Sequence, residues 1–184
     1  MIERCAYGGM NQPVRQKKKW LKFGGWTALG AVFLFTSALI GKPSPDQPIA
    51  FSHKTHSETY KLACLYCHVY ADRSTVAGVP PVQTCFGCHK IIAGEKPEAK
   101  KEIKKILNHW KNKDPIPWIR IYDLPDFVYF SHKRHVKEGV ACQTCHGQIQ
   151  EMNQVRRVAS LEMGWCLNCH HQRGVDRDCV ICHK

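Results

Sequence analysis

Acidic residues are scarce in this sequence. The 184-residue chain has 15 Asp and Glu against 27 Lys and Arg, a formal net charge of +12 at pH 7. Such an excess is compatible with nucleic acid binding, but no basic face interleaved with aromatic residues stands out. Residues 1–22 hold six of the basic residues and one acid. Much of the charge therefore belongs to a short N-terminal segment, and the composition excludes a nucleic acid partner.

Long hydrophobic runs are also scarce. Residues 23–41, FGGWTALGAVFLFTSALIG, form a run of 19 residues without a charge, enough for one transmembrane helix. The basic residues before it predict a cytoplasmic segment at 1–22 and an external location for the rest of the chain. A cleaved signal peptide is the alternative, but its apolar core spans about 7–15 residues and ends in an A-x-A-like site. Thr36-Ser37-Ala38 matches that site poorly, so an uncleaved anchor is favoured.

Cysteine and histidine, by contrast, are abundant, with 11 of each. Ten cysteines form five C-x-x-C pairs, and a histidine follows each pair at once; Cys5 has no such partner. The five motifs are Cys64/Cys67 with His68, Cys85/Cys88 with His89, Cys142/Cys145 with His146, Cys166/Cys169 with His170, and Cys179/Cys182 with His183.

C-x-x-C-H is the attachment signature of haem c. Two thiols bind the porphyrin covalently, and the adjacent histidine ligates the iron as the proximal ligand. Zinc ribbons and disulfide frameworks also use C-x-x-C, but neither needs a histidine after every pair. The sequence therefore predicts five covalently bound haems c.

A second pattern precedes the first and third motifs. FSHKTH at 51–56 returns as FSHKRH at 130–135, 79 residues later, and two C-x-x-C-H motifs follow each copy. This is an internal repeat. Two histidines three residues apart lie on one side of a helical turn, so they can reach two different irons, and the preceding aromatic can pack on a porphyrin. The predicted distal haem ligands are His53, His56, His132 and His135.

Four distal histidines leave one iron of five without a sixth ligand. The candidates are Met163, His171 and His109. Met163 lies in EMGWC just before the fourth motif, and a thioether ligand raises the potential of its haem. His171 directly follows a proximal histidine, and His109 lies on a predicted helix. The choice between Met163 and His171 stays open, with Met163 favoured narrowly and His109 not expected to be a ligand.

The rest of the sequence predicts small modules around the haems. Residues 42–184 are shared by five motifs, too little chain for an ordinary protein core. We therefore expect the haems to form the core, with short helices and long loops. The repeat predicts a dihaem module at 42–96, which begins with a Pro-rich extended spacer, a linker at 97–129, and a trihaem module at 130–184.

The linker itself divides into two parts. Ile103, Ile106, Leu107 and Trp110 recur with helical spacing, which predicts a helix over residues 97–112 with lysines on its opposite side. We expect its apolar side to pack on a haem edge or a partner protein. The second part, DPIPWIRIYDLPDFVYF, contains three prolines among apolar residues and predicts an extended segment with at most one short strand.

The histidine and cysteine motifs resemble a known group of proteins. F-S-H-x-x-H followed by C-x-x-C-H is similar to the cytochrome c3 and c7 multihaem class. The resemblance implies that His53 serves the haem of the first motif and His132 that of the third. By the same resemblance, His56 and His135 reach across to other haems.

The wider layout resembles the pentahaem subunit of alternative complex III, a bacterial membrane quinol oxidoreductase. An N-terminal anchor, five motifs in this order, PIPWIRIYDLPDFVYFSHKRH and LEMGWCLNCH carry the resemblance, which covers nearly the whole chain. It implies a mainly α and irregular fold, with one transmembrane helix and a c3/c7-like haem domain on the outer face of the bacterial inner membrane. It also implies electron transfer from quinol, through iron–sulfur and polytopic membrane subunits, to a monohaem cytochrome, a copper protein or an oxidase. No catalysis is expected of this chain alone.

Two other functions compete with this interpretation. A free-standing membrane-anchored multihaem quinol dehydrogenase would feed a periplasmic reductase, but such proteins usually carry four haems and lack this linker. A multihaem reductase needs an iron with an open coordination position, whereas candidate ligands here are at least as numerous as the irons.

Overall fold

The computed structural model describes residues 44–184. The predicted cytoplasmic segment at 1–22 and the predicted transmembrane helix at 23–41 lie outside the described residues. Within the described part, none of the helices combines the length and the apolar character needed to cross a bilayer. Residues 44–184 belong to one compact unit.

Short helices separated by long loops make up this part of the chain. A π-helix spans Lys54–Thr59 and a 3-10 turn spans Ile149–Glu151. The α-helices of residues 44–184 are α1 Cys64–Cys67, α2 Val82–His89, α3 Pro97–Asn112, α4 His132–Lys137, α5 Cys142–His146, α6 Met163–Gln172 and α7 Cys179–Cys182. The same residues contain no β-strand, only an isolated bridge between Val128 and His183. The predicted mainly α and irregular fold is confirmed for the described part.

Helix α3 is the longest and has the predicted bounds. Pro97 occupies its first turn, where a missing N–H costs nothing, and Lys113 ends it in the left-handed conformation at φ 58°. Its apolar side packs within the chain, not on an outside partner as expected from the sequence. Ile106 is buried in a cluster with Ile49 and Ile116, because the segments before and after α3 fold back onto it.

The Pro-rich spacer is pinned to α3 and to the extended part of the linker. The side-chain amide of Gln47 donates to the Ile119 carbonyl at 2.9 Å and accepts from the Ile119 N–H at 2.9 Å. The Ala50 N–H donates to the Glu102 carboxylate at 2.8 Å. On the other side of α3, Trp110 stacks on Phe86 of α2 with ring centroids 4.3 Å apart. Helix α3 therefore links the start of the first F-S-H-x-x-H copy to the second C-x-x-C-H motif.

The two F-S-H-x-x-H copies exchange backbone hydrogen bonds. The Lys54 N–H donates to the Met152 carbonyl at 3.0 Å, and the Lys133 N–H donates to the Ser74 carbonyl at 3.0 Å. Lys54 and Lys133 occupy the same position in the two copies, and each acceptor lies six residues after the proximal histidine of the other copy's first motif. The loop after one motif therefore holds the histidine turn of the other half.

Candidate haem sites

Each C-x-x-C pair lies within one helical turn. The five pairs are in α1, α2, α5, α6 and α7, so the two sulfurs of a pair project from one side of their helix. Nine of the ten motif cysteines are free thiols. Cys169 is disulfide-bonded, and that bond must be reduced before a thioether forms there. Burial, with the neighbouring Cys166 and Cys142, raises the pKa of Cys145 to about 11, so this thiol is protonated at neutral pH.

Each predicted distal histidine lies beside one proximal histidine. The ring centroids are 6.5 Å apart for His53–His68, 6.4 Å for His132–His146, and 6.1 Å for both His56–His89 and His135–His170. The ring planes of the first two pairs are nearly parallel, at 5° and 11°. The structure thus brings eight of the predicted axial histidines together in four pairs.

These separations fit one metal ion held between two imidazole rings. A histidine nitrogen binds a metal at about 2.0–2.1 Å, and its ring centre lies about 1.1 Å farther away, so two opposed rings are roughly 6.3 Å apart. The described residues contain no group of three His, Cys, Asp or Glu side chains suited to a bare metal ion. Histidines that meet in twos are suited to the two axial positions of a haem iron.

Backbone carbonyls orient most of these histidines. A carbonyl oxygen only accepts hydrogen bonds, so the bonded Nδ1 carries the proton and Nε2 keeps the lone pair that binds a metal. The Nδ1-to-oxygen distances are 2.8 Å for His56–Ser52, 2.8 Å for His68–Gly78, 3.0 Å for His89–Ile92, 3.0 Å for His132–Thr75, 2.8 Å for His135–Ser131, 3.2 Å for His170–Asp176 and 3.2 Å for His183–Phe127. All five proximal histidines except His146 show this bond.

The comparisons with known proteins agree with this geometry. Residues 128–184, which contain the second F-S-H-x-x-H copy and three motifs, match the family model of cytochrome c7 and related cytochrome c. Residues 128–184 form a cytochrome c7-like multihaem domain. The chain is also 26% identical, over 207 aligned residues, to the menaquinone reductase multihaem cytochrome c subunit of Nitratidesulfovibrio vulgaris (strain Hildenborough). That alignment covers 98% of this chain and 93% of the relative, so the likeness extends beyond the c7-like domain, and the chain is a multihaem cytochrome c.

His53 and His146 are the most deeply placed of the paired histidines. Burial, with neighbouring histidines, lowers the pKa of each to about 4, so both rings are neutral at physiological pH. The neutral ring is the form that binds a metal. His53 differs from its counterpart in the c7-like domain, His132, because its buried Nδ1 has no hydrogen-bond partner within the described residues.

A phenylalanine wedge fixes both histidines of each F-S-H-x-x-H copy. Phe51 meets His53 edge-on at 4.9 Å and stacks on His56 at 4.4 Å. Phe130 does the same in the c7-like domain, at 4.8 Å from His132 and 4.5 Å from His135. The sequence suggested that this aromatic packs on a porphyrin, whereas the structure places its ring against the two imidazoles.

We predict that Phe130→Ala weakens distal ligation at the third and fourth sites. Each aromatic contact contributes about 0.5–1.5 kcal/mol, so losing both lets each imidazole leave its position in a measurable fraction of molecules. EPR of the oxidised protein should then show a partial high-spin signal that the wild type lacks. Tyr129→Ala is the control, because that neighbouring side chain is 57% exposed. A Phe130→Ala spectrum identical to wild type would contradict the role of the wedge.

The structure leaves the sixth ligand of the fifth site unassigned. The His183 ring faces Phe127, 5.7 Å away, and no ring pair like the four above includes His171 within residues 44–184. Met163 begins α6, is 62% exposed and lies one turn before Cys166. His171 is exposed and lines a cavity of about 620 Å3 that also reaches Asp178, next to the fifth motif.

His109 has a different environment from the paired histidines. Its Nδ1 lies 3.1 Å from the Asp114 carboxylate, just past the end of α3. A carboxylate partner and a place on the lysine-rich helix separate it from the four pairs. This agrees with the expectation that His109 is not a ligand.

Sequence reasoning missed the backbone partners of the histidines. The Ser52 and Ser131 carbonyls belong to the F-S-H-x-x-H motif itself, so a helical turn at that motif predicts them. The Thr75, Gly78 and Phe127 carbonyls come from loops, and a carbonyl acceptor leaves no trace in residue type. Tyr122, whose ring lies 4.4 Å from His146, was likewise not identified.

Proposed function

We propose that this chain relays electrons as the five-haem subunit of a membrane quinol oxidoreductase of the alternative complex III type. The four histidine pairs carry the proposal. Haem c bound at such a site supplies one-electron transfer. Two histidines on opposite sides of an iron leave no open position for a substrate. The four pairs therefore favour a relay over a reductase that binds its substrate at iron.

For the fifth site, we propose His183 and Met163 as the axial pair. Met163 precedes Cys166 by three residues, so the two side chains share one side of α6. The Cys166 thiol in turn lies near Cys182 of the fifth motif, close enough for an electrostatic interaction. Met163 therefore belongs to the neighbourhood of the fifth motif. His171, on the cavity beside Asp178, is the alternative ligand.

We expect Met163→Leu to lower the highest midpoint potential of the protein. A thioether ligand raises the potential of its haem relative to bis-histidine sites, and leucine cannot ligate iron. A redox titration of the isolated protein measures the change, and His171→Leu is the matched variant on the same helix. If His171→Leu moves the highest potential and Met163→Leu does not, His171 takes the place of Met163 in this proposal.

The predicted location completes the proposed function. The span at 23–41 would anchor the chain in the bacterial inner membrane, with residues 1–22 in the cytoplasm and all five motifs on the outer face. Partners on that side would be an iron–sulfur subunit and polytopic subunits that pass electrons from quinol, and a monohaem cytochrome, copper protein or oxidase that accepts them.

A second candidate function runs in the opposite direction. The relative at 26% identity is named as part of a menaquinone reductase, and its alignment covers nearly all of this chain. A reductase delivers electrons to the quinone instead of taking them from quinol. The same string of haem sites serves either direction, since the difference in potential between the partners sets the flow.

The native assembly tests the proposed function. Membranes solubilised in mild detergent are separated by native mass, and the species that carries the covalent haem stain is identified. We expect a large complex with iron–sulfur and polytopic subunits whose haems are reduced by added quinol. Reduced haems that are instead reoxidised by menaquinone, with no reduction by quinol, would favour the menaquinone reductase. A haem-stained species that migrates alone would contradict both and indicate the free-standing quinol dehydrogenase.

A further inference from the structure

The first and second haem sites are neighbours because they share one histidine turn. His53 of the first site and His56 of the second both pack on Phe51. The cysteines agree, since the Cys67 thiol of the first motif is close enough to Cys88 of the second for an electrostatic interaction. Two independent sets of side chains therefore join these sites.

The third and fourth sites are joined in the same way. His132 of the third site and His135 of the fourth both pack on Phe130. The Cys145 thiol of the third motif interacts electrostatically with Cys166 of the fourth. This junction repeats the first one in the other half of the repeat.

The two halves meet at the first and third sites. The Cys64 and Cys142 thiols, one from each motif, share a hydrogen bond. His146 of the third site is near enough to His68 of the first to interact electrostatically. The His132 Nδ1 also donates to the Thr75 carbonyl, in the loop that follows the first motif. The junction is therefore made by cysteines, proximal histidines and a distal histidine together.

The second and fifth sites lie at the two ends of this arrangement. The second motif packs on α3 through Phe86 and Trp110, on the far side of the first site from the third. The fifth motif adjoins the fourth, where Cys182 lies near Cys166. Its backbone is also bonded to the start of α4's segment, with the Tyr129 N–H donating to the Cys182 carbonyl at 2.7 Å.

We propose that the five sites follow one another in space in the order second, first, third, fourth, fifth, so that the second and fifth sites are the two ends of the relay. The order differs from that of the motifs along the chain, because the halves join through their first motifs. The inference rests on the proposed function for its consequence: electrons enter and leave at the second and fifth motifs, and the first motif is internal.

Two methionine variants test whether the first or the second site is internal. Methionine in place of a distal histidine raises the potential of that site, so that site alone is reduced, and becomes diamagnetic, at a suitable applied potential. His53→Met marks the first site and His56→Met the second. Pulsed EPR then measures the relaxation of the four remaining ferric haems, which slows when a paramagnetic neighbour is lost. A pyridine haemochrome assay first confirms that each variant keeps five haems.

The proposed order predicts two perturbed signals for His53→Met and one for His56→Met. The order of the motifs along the chain predicts one and two, and that result, or any other count, overturns the proposal. If a methionine variant loses haem, the iron positions in the wild-type protein, from anomalous diffraction, decide the same question. A distance between the first and third irons shorter than that between the second and third supports the order, and the reverse refutes it. Wild type with this order but no electron exchange with quinol or quinone in its native complex would refute the proposed function alone.

Discussion

His135→Ala is expected to convert one of the five haems from low spin to high spin while all five stay covalently attached. Haem attachment depends on the cysteines, whereas the low-spin state depends on the sixth ligand. The His135 ring lies 6.1 Å from the His170 ring, in the arrangement suited to two ligands of one iron. Alanine leaves that position empty, and water is a weaker ligand than imidazole. EPR and near-infrared magnetic circular dichroism of the oxidised protein measure the change.

A matched variant separates ligation from general damage. His132→Ala should give the same one-haem change at the third site, since His132 pairs with His146. His109→Ala should leave every haem low spin, because His109 pairs with Asp114 and not with a proximal histidine. Unchanged spectra for both His132→Ala and His135→Ala would remove these residues from the set of ligands, and with them the assignment of the third and fourth sites.

Gly147→Ala is expected to destabilise the protein by several kcal/mol. Gly147 ends α5 directly after His146, with φ 66° and ψ −163°, a conformation that costs other residues about 1–3 kcal/mol. A Cβ added there would also lie 2.8 Å from Cγ2 of Val158. A branched side chain cannot move aside as a long flexible one does, so either the loop or His146 must shift.

Gly139→Ala provides the control for the second term. Gly139 has a similar φ of 71°, but an added Cβ would meet no atom within 4 Å. Its loss should therefore be limited to the backbone strain of about 1–2 kcal/mol. Thermal unfolding of the five-haem protein measures both variants, with about 2–4 °C lost per kcal/mol in a chain of this size. Equal losses for the two variants would show that the contact with Val158 does not matter.

Local patterns predicted the parts of the structure that depend on neighbouring residues. The helix at 97–112 follows from an apolar stripe of period 3.6 and a proline at its start, and the structure has those bounds. The repeated F-S-H-x-x-H predicted four distal ligands, and each of these histidines lies beside a proximal one. Their roles as ligands stay predictions that the variants above test.

Contacts between distant segments were not predictable from the same patterns. Ile49 lies in a Pro-rich stretch that reads as a solvated spacer, yet it is 3% exposed, because α3 and Ile116 cover it. The Thr75 carbonyl orients His132 across 57 residues of chain, although nothing about a threonine in a loop marks it as an acceptor. Backbone groups carry no residue-type signal, and a period describes only one element at a time.

The exchanged hydrogen bonds between the two halves point to the ancestry of the chain. The bond from Lys54 to Met152 and the bond from Lys133 to Ser74 are equivalent under exchange of the halves, as contacts are across the interface of a symmetric dimer. A small dihaem protein that paired with a copy of itself, and whose gene was then duplicated and fused, leaves this pattern. Fusion makes the pairing independent of protein concentration. It also frees each half to diverge, as the extra motif at Cys179/Cys182 in the second half shows.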